Sequence, residues 1–226
     1  MNAVLPSMDI ERARHNMIEQ QIRTWDVLDQ RVLDTLAEIP RHRYVPENYQ
    51  SLAYCDTRIP IGHGEVMMNP NVEGRLVQAL QLTPDDHVLE VGTGSGYITA
   101  CLRALGGSVE SVEIHADLAS EAAQKLQRDA VRNVNLQVGD AAAGWGDAKA
   151  YDAIAITGSL PELPGRYREA LRIGGRLFVV CGSPDEPIMD ALLVTRVSDD
   201  NWKTESIFET ELAPLANSAP VPEFVF

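Results

Sequence analysis

The chain has 226 residues, 45% hydrophobic and 23% charged, a make-up that excludes a largely disordered polypeptide and points to one domain over residues 1–226. Its 33 acidic and 19 basic side chains leave a net charge of −14, which argues against nucleic acid and against an anionic membrane surface as partners and favours a cationic small molecule. No apolar run approaches the roughly 18 residues of a transmembrane helix.

The N-terminal stretch MNAVLPSMDIERARH has no basic segment followed by an apolar one, so no signal peptide is expected and the location reads as cytoplasmic. Residues 9–38 read as helical. Asp9 is placed to cap a helix carrying Ala13, Met17 and Ile18, and Asp29 a second one carrying Val32, Leu33 and Leu36. Pro40, Pro46, Pro60 and Pro70 then break up a long irregular stretch, and a loop of that length in a compact domain tends to be functional. Within it, IPIGHGEVMMNP sets Gly62 and Gly64 beside an apolar run.

From residue 71 strands and helices alternate. Val72, Leu76, Ala79 and Leu80 make one helical face; HVLEVG, SVESVEI, NLQV, YDAIAIT and GGRLFVVCG read as strands; 95–105, 115–129 and 163–171 read as helices. Strands this apolar predict a mostly parallel sheet covered on both faces, the doubly wound α/β class. ALLVTRV and TESIFETEL have no helix between them and predict an antiparallel hairpin at the sheet edge; the tail PVPEFVF has no evident place. Cys55, Cys101 and Cys181 lie far apart, no C-x-x-C occurs, and no His/Cys/Asp cluster has ligand spacing, so no metal site is expected.

The strongest motif is Glu90-Val91-Gly92-Thr93-Gly94-Ser95-Gly96, between a predicted strand and a predicted helix. Its third glycine comes one residue earlier than in the dinucleotide fingerprint. Glu90 beside it would oppose a pyrophosphate and suit a ligand bearing an ammonium group and a sulfonium. Glu113 follows Gly94 by 113 − 94 = 19 residues, the place of an acid that accepts ribose hydroxyls. Asp140, after the NLQV strand, is placed to accept from an adenine amino group.

The stretches PRHRYVPENY, AYCDTRIPIGHG, VLEVGTGSGYITACL, VESVEI, GDAAAGW, YDAIAITGS and IGGRLFVVCG resemble, in order, the protein-L-isoaspartate O-methyltransferases, a family of S-adenosylmethionine-dependent enzymes. The resemblance covers about residues 10–185, and the pairing of PRHRYVP with AYCDTRIPIGHG is its most specific part. It implies a Rossmann-like methyltransferase fold: a helical cap and substrate loop over 1–70, a cofactor-binding core over 71–185, and a C-terminal hairpin and tail over 186–226. It implies S-adenosylmethionine as cofactor, held by Glu90, Gly92, Thr93, Gly94, Gly96, Glu113, Ile114, Asp140 and Ala141. It implies a protein or peptide substrate met by Asp56, Ile61, Gly62, His63, Val66 and Met68.

One departure bears on function. Where the family carries Gln-Thr-Ile-Ser-Gln-Pro, this chain has Glu65-Val66-Met67-Met68-Asn69-Pro70, so the family's threonine and serine fall on Val66 and Met68. No catalytic residue is assigned, because Met68 stands at the serine. Three readings follow: isoaspartyl carboxyl methylation, methylation of a more apolar acceptor such as a small molecule, and cofactor binding without transfer.

Overall fold

The computed structural model describes residues 7–183 and 188–218. Helix α1, Ser7–Met17, passes into a π-helical turn, Ile18–Ile22, and a 3-10 turn, Arg23–Trp25. α1 begins before Asp9, so that residue lies in the first turn rather than at the cap, where its charge still suits the helix dipole. Helix α2, Gln30–Glu38, does start at Asp29, whose carboxylate accepts from the Arg31 N–H. The stretch read as irregular is ordered by local turns: 3-10 segments at Arg41–Arg43 and Glu47–Leu52, then an antiparallel hairpin of β1, Ile59–Gly62, and β2, Glu65–Met67.

The remaining elements are α3 (Pro70–Leu80), β3 (His87–Val91), α4 (Tyr97–Leu105), β4 (Ser108–Glu113), α5 (Ala116–Arg128), β5 (Val134–Val138), β6 (Tyr151–Leu160), α6 (Gly165–Ala170), β7 (Leu171–Cys181), β8 (Met189–Ser198) and β9 (Asn201–Thr210). The sheet order is β5-β4-β3-β6-β7-β8-β9, parallel through β7 and antiparallel for the β8–β9 hairpin. The doubly wound core and the edge hairpin stand as expected. The tail PVPEFVF lies outside the described residues. No helix among the described residues is long and apolar enough to cross a membrane.

Alternation along the strands divides the core. Val88, Ala153, Ala155, Phe178 and Val180 pack with the N-terminal helices, α3 and α4, whereas Leu89, Val91, Ile154, Ile156, Leu177 and Val179 pack toward Tyr167 and Ala170 of α6. The chain runs outward from β3 to β4 and β5, then returns to β6 on the other side, so the strand order reverses between β3 and β6. Open sheets bind ligands at the carboxyl end of that junction.

Candidate active site

A cavity opens at this junction, lined by the glycine loop after β3, the ends of β4 and β6, and the loop after β5. Gly92 has φ +91°, and a Cβ there would stand 2.4 Å from Thr157 Oγ1, so only glycine lets the chain turn under the cavity. At Gly94, φ +51°, a Cβ would meet Ile61 Cδ1 at 3.1 Å, and its absence leaves bare backbone facing the cavity. The Gly94 N–H donates to Glu113 Oε2 at 2.8 Å and the His115 N–H to Oε1 at 3.0 Å. Both oxygens are thus oriented while keeping free lone pairs. Asp140 accepts from the Ala142 N–H and the Asn217 side-chain amide, each at 2.9 Å, and these bonds hold its carboxyl below the usual range.

Two covers flank the opening. The β1–β2 hairpin presents Ile61, Glu65, Val66, Met67 and Met68, and a C-terminal strap presents Leu212–Ala216. The strap is tied to β6 where that strand shifts register: Ser159 N–H donates to the Ala213 carbonyl at 2.8 Å and Leu215 N–H to the Ser159 carbonyl at 2.9 Å. Behind Met68 lies a buried ion pair. The Arg41 guanidinium, 0% exposed, grips both Glu73 oxygens at 2.8 and 3.0 Å and donates to the carbonyls of Ala53 and Met68 at 2.6 and 2.7 Å. Burial works against the Arg41 charge, and the Glu73 carboxylate more than offsets it, holding the guanidinium above its ordinary value.

The cavity brings together Gly92, Thr93, Gly94, Glu113, Ile114, Asp140, Ala141, Ile61, Val66 and Met68 from the residues expected in the site. Five expected residues lie outside the cavity lining. Glu90 shares the strand face of Val88, so its carboxyl turns under α4, where Oε2 accepts from Thr99 at 2.5 Å and Ser111 at 2.6 Å. Burial pushes that carboxyl up to about 8, against those two hydrogen bonds and with a smaller contribution from Glu113. Gly96 instead lets α4 approach α5, since a Cβ there would stand 3.2 Å from Ala122 Cβ. Asp56 bonds to Asn69 beside a separate polar groove, and Gly62 and His63 form the hairpin tip facing α5. Sequence reasoning missed Thr157 and the strap; only the Gly158-Ser159 pair ending β6 hinted at an irregular strand end.

A family model described as "Protein-L-isoaspartate(D-aspartate) O-methyltransferase (PCMT)" matches residues 12–219. A protein-L-isoaspartate O-methyltransferase of Roseiflexus sp. is 38% identical over 208 residues, covering 92% of this chain and 94% of its own. Another, of Opitutus terrae, is 40% identical over 176 residues, 76% of each chain. Among solved structures, a Plasmodium falciparum chain assigned to the same activity, in complex with S-adenosyl-L-homocysteine, superposes with a TM-score of 0.74 at 21% identity, covering 91% of this chain and 97% of that one. At that identity the superposition speaks for the fold alone.

Proposed function

Because the chain belongs to the protein-L-isoaspartate(D-aspartate) O-methyltransferase family, we propose that this cavity is where it moves a methyl group from S-adenosylmethionine to the free carboxylate of an isoaspartyl residue in a protein or peptide. The chain is an S-adenosylmethionine-dependent methyltransferase. The observation that supports the site is the Glu113 carboxylate, oriented by two backbone N–H groups beside a glycine turn that a Cβ would fill.

When bound, S-adenosylmethionine supplies a methyl group on a positively charged sulfur, and the acceptor carboxylate, ionised near neutral pH, needs no general base to attack it. The work left to the chain is binding, orientation and exclusion of water. Glu113 accepts from ribose hydroxyls with its remaining lone pairs, and Asp140 accepts from an amino group. Ile61, Val66, Met67, Met68 and Leu212 make an apolar wall. That wall carries no side-chain hydroxyl, the one observation that favours the second reading, a more apolar acceptor. A cytoplasmic location is supported by the three free cysteines.

Radiolabelled methyl transfer to an isoaspartyl peptide tests the reaction; label passing instead only to an extract component would favour the second acceptor. Glu113→Ala is expected to weaken S-adenosylhomocysteine binding by about 1.5–3 kcal/mol, roughly 10- to 150-fold. Unchanged affinity by calorimetry would remove Glu113 from the site. No group of three or more His, Cys, Asp or Glu among the described residues is arranged to hold one metal ion. Binding and transfer are therefore expected to persist in excess EDTA; a loss that zinc or magnesium restores would refute this.

A further inference from the structure

The hairpin is joined to the cofactor end of the cavity by two histidines for which the transfer reaction has no use. His63 at the tip has φ +54°, uncommon for a residue other than glycine. Its ring lies flat on that of His115, with centroids 4.1 Å apart and planes 9° apart. His63 Nε2 stands 2.7 Å from Asp117 Oδ2 in the first turn of α5. His115 precedes α5, and its backbone N–H is one of the two that orient Glu113. Its Nε2 is buried, makes no hydrogen bond among the described residues, and has Glu65 Oε1 of β2 at 3.7 Å. The charged groups facing the pair are Asp117 from α5, Glu65 from β2 and Glu113 from the end of β4. The same hairpin lays Ile61 over Gly94, the glycine that donates to Glu113.

We propose that His63, His115 and Asp117 form a proton-dependent clasp that positions the hairpin over the cofactor cavity, closed when the His63 imidazole is protonated and looser when it is neutral. The proposal rests on the cavity being the S-adenosylmethionine site. The carboxylates of Asp117, Glu113 and Glu65 favour the charged form of His63, and His115 stacks on its ring. The hydrogen bond to Asp117 raises His63 above its ordinary value of 6.5, the nearby carboxylates adding to it. The sign follows: the charge-assisted bond is complete below pH 6.5 and is lost as the pH rises through the raised value. His63 and Asp117 are positioning residues, holding the wall that carries Val66 and Met68 without touching the reacting atoms.

The test measures S-adenosylhomocysteine dissociation by stopped flow at about pH 6 and about pH 8.5, either side of the imidazole range. In the unaltered protein, dissociation is expected to be about 2- to 5-fold faster at the higher pH, the scale of an exposed ion pair. In Asp117→Asn, and in His63→Asn, which keeps a residue tolerant of positive φ, it is expected to be fast at both. A purely structural role would change affinity without removing the pH dependence. No pH dependence in the unaltered protein, or the same dependence in both variants, overturns the clasp. Hydrogen exchange of the hairpin amides in the free protein, corrected for intrinsic rates, gives an independent reading. Protection is expected to be greater at the lower pH in the unaltered protein only; the same pH dependence of protection in Asp117→Asn overturns the clasp. If no S-adenosylhomocysteine binds at either pH, the cavity assignment fails instead, and hydrogen exchange alone decides the clasp.

Discussion

Glu73→Gln is expected to destabilise the protein by about 3–5 kcal/mol, because it leaves the fully buried Arg41 charge without a counter-charge. For a chain of this size that corresponds to a fall in melting temperature of roughly 6–20 °C. Arg41 is a hub: it ties α3 through Glu73, the end of the Glu47–Leu52 3-10 segment through the Ala53 carbonyl, and the cavity wall through the Met68 carbonyl. Its guanidinium also stands 5.6 Å from the centre of the Tyr97 ring at the head of α4. Removing both charges, Arg41→Met with Glu73→Met, should recover part of the loss, since a buried pair replaced by apolar groups is often close to neutral. The two orphaned carbonyls prevent full recovery. A drop below about 1 kcal/mol in Glu73→Gln, measured by urea unfolding, would show that the pair is solvated or dispensable.

The largest effect on catalysis is expected from Val66→Thr combined with Met68→Ser. Val66 is half-buried on β2 and Met68 is 4% exposed behind it, its carbonyl fixed by Arg41. A carboxylate brought against this wall loses water and meets no donor from the side chains of Ile61, Val66, Met67, Met68 or Leu212. One preorganised donor is worth about 10²- to 10³-fold in rate. Turnover of isoaspartyl peptide by the unaltered protein is accordingly expected to be about 100-fold or more below that of a family member with both hydroxyls. The double variant should raise kcat at least about tenfold, the newly placed hydroxyls being less well held than evolved ones. S-adenosylhomocysteine affinity serves as the control. An unchanged rate with affinity intact would show that backbone N–H groups already hold the acceptor, or that the acceptor is not a carboxylate.

Much of this molecule is written in local pattern. The alternation of apolar runs in β3, β4, β6 and β7 with helical faces in α3, α4 and α5 specifies a doubly wound sheet, because each period demands burial on particular faces. Glu113 was legible from its spacing to Gly94: one helix and one strand carry the chain back beside the glycine loop, so 19 residues place the acid at the neighbouring strand end. Asp29 was legible because an N-cap acts within three residues. The other features depend on which faces meet. Strand periodicity puts Glu90 opposite Leu89 and Val91 but cannot say which face looks up at a ligand; the packing of α4 decided that, turning Glu90 to Thr99 and Ser111. Thr157 and Leu212–Ala216 join the cavity through a register shift in β6 and a strap returning from beyond β9. The contacts of Arg41 with Glu73 and of His63 with His115 bring together residues distant in the chain. Such contacts are chosen by the docking of the cap and hairpin onto the sheet, an outcome of shape and burial across the whole fold that local periodicity does not encode.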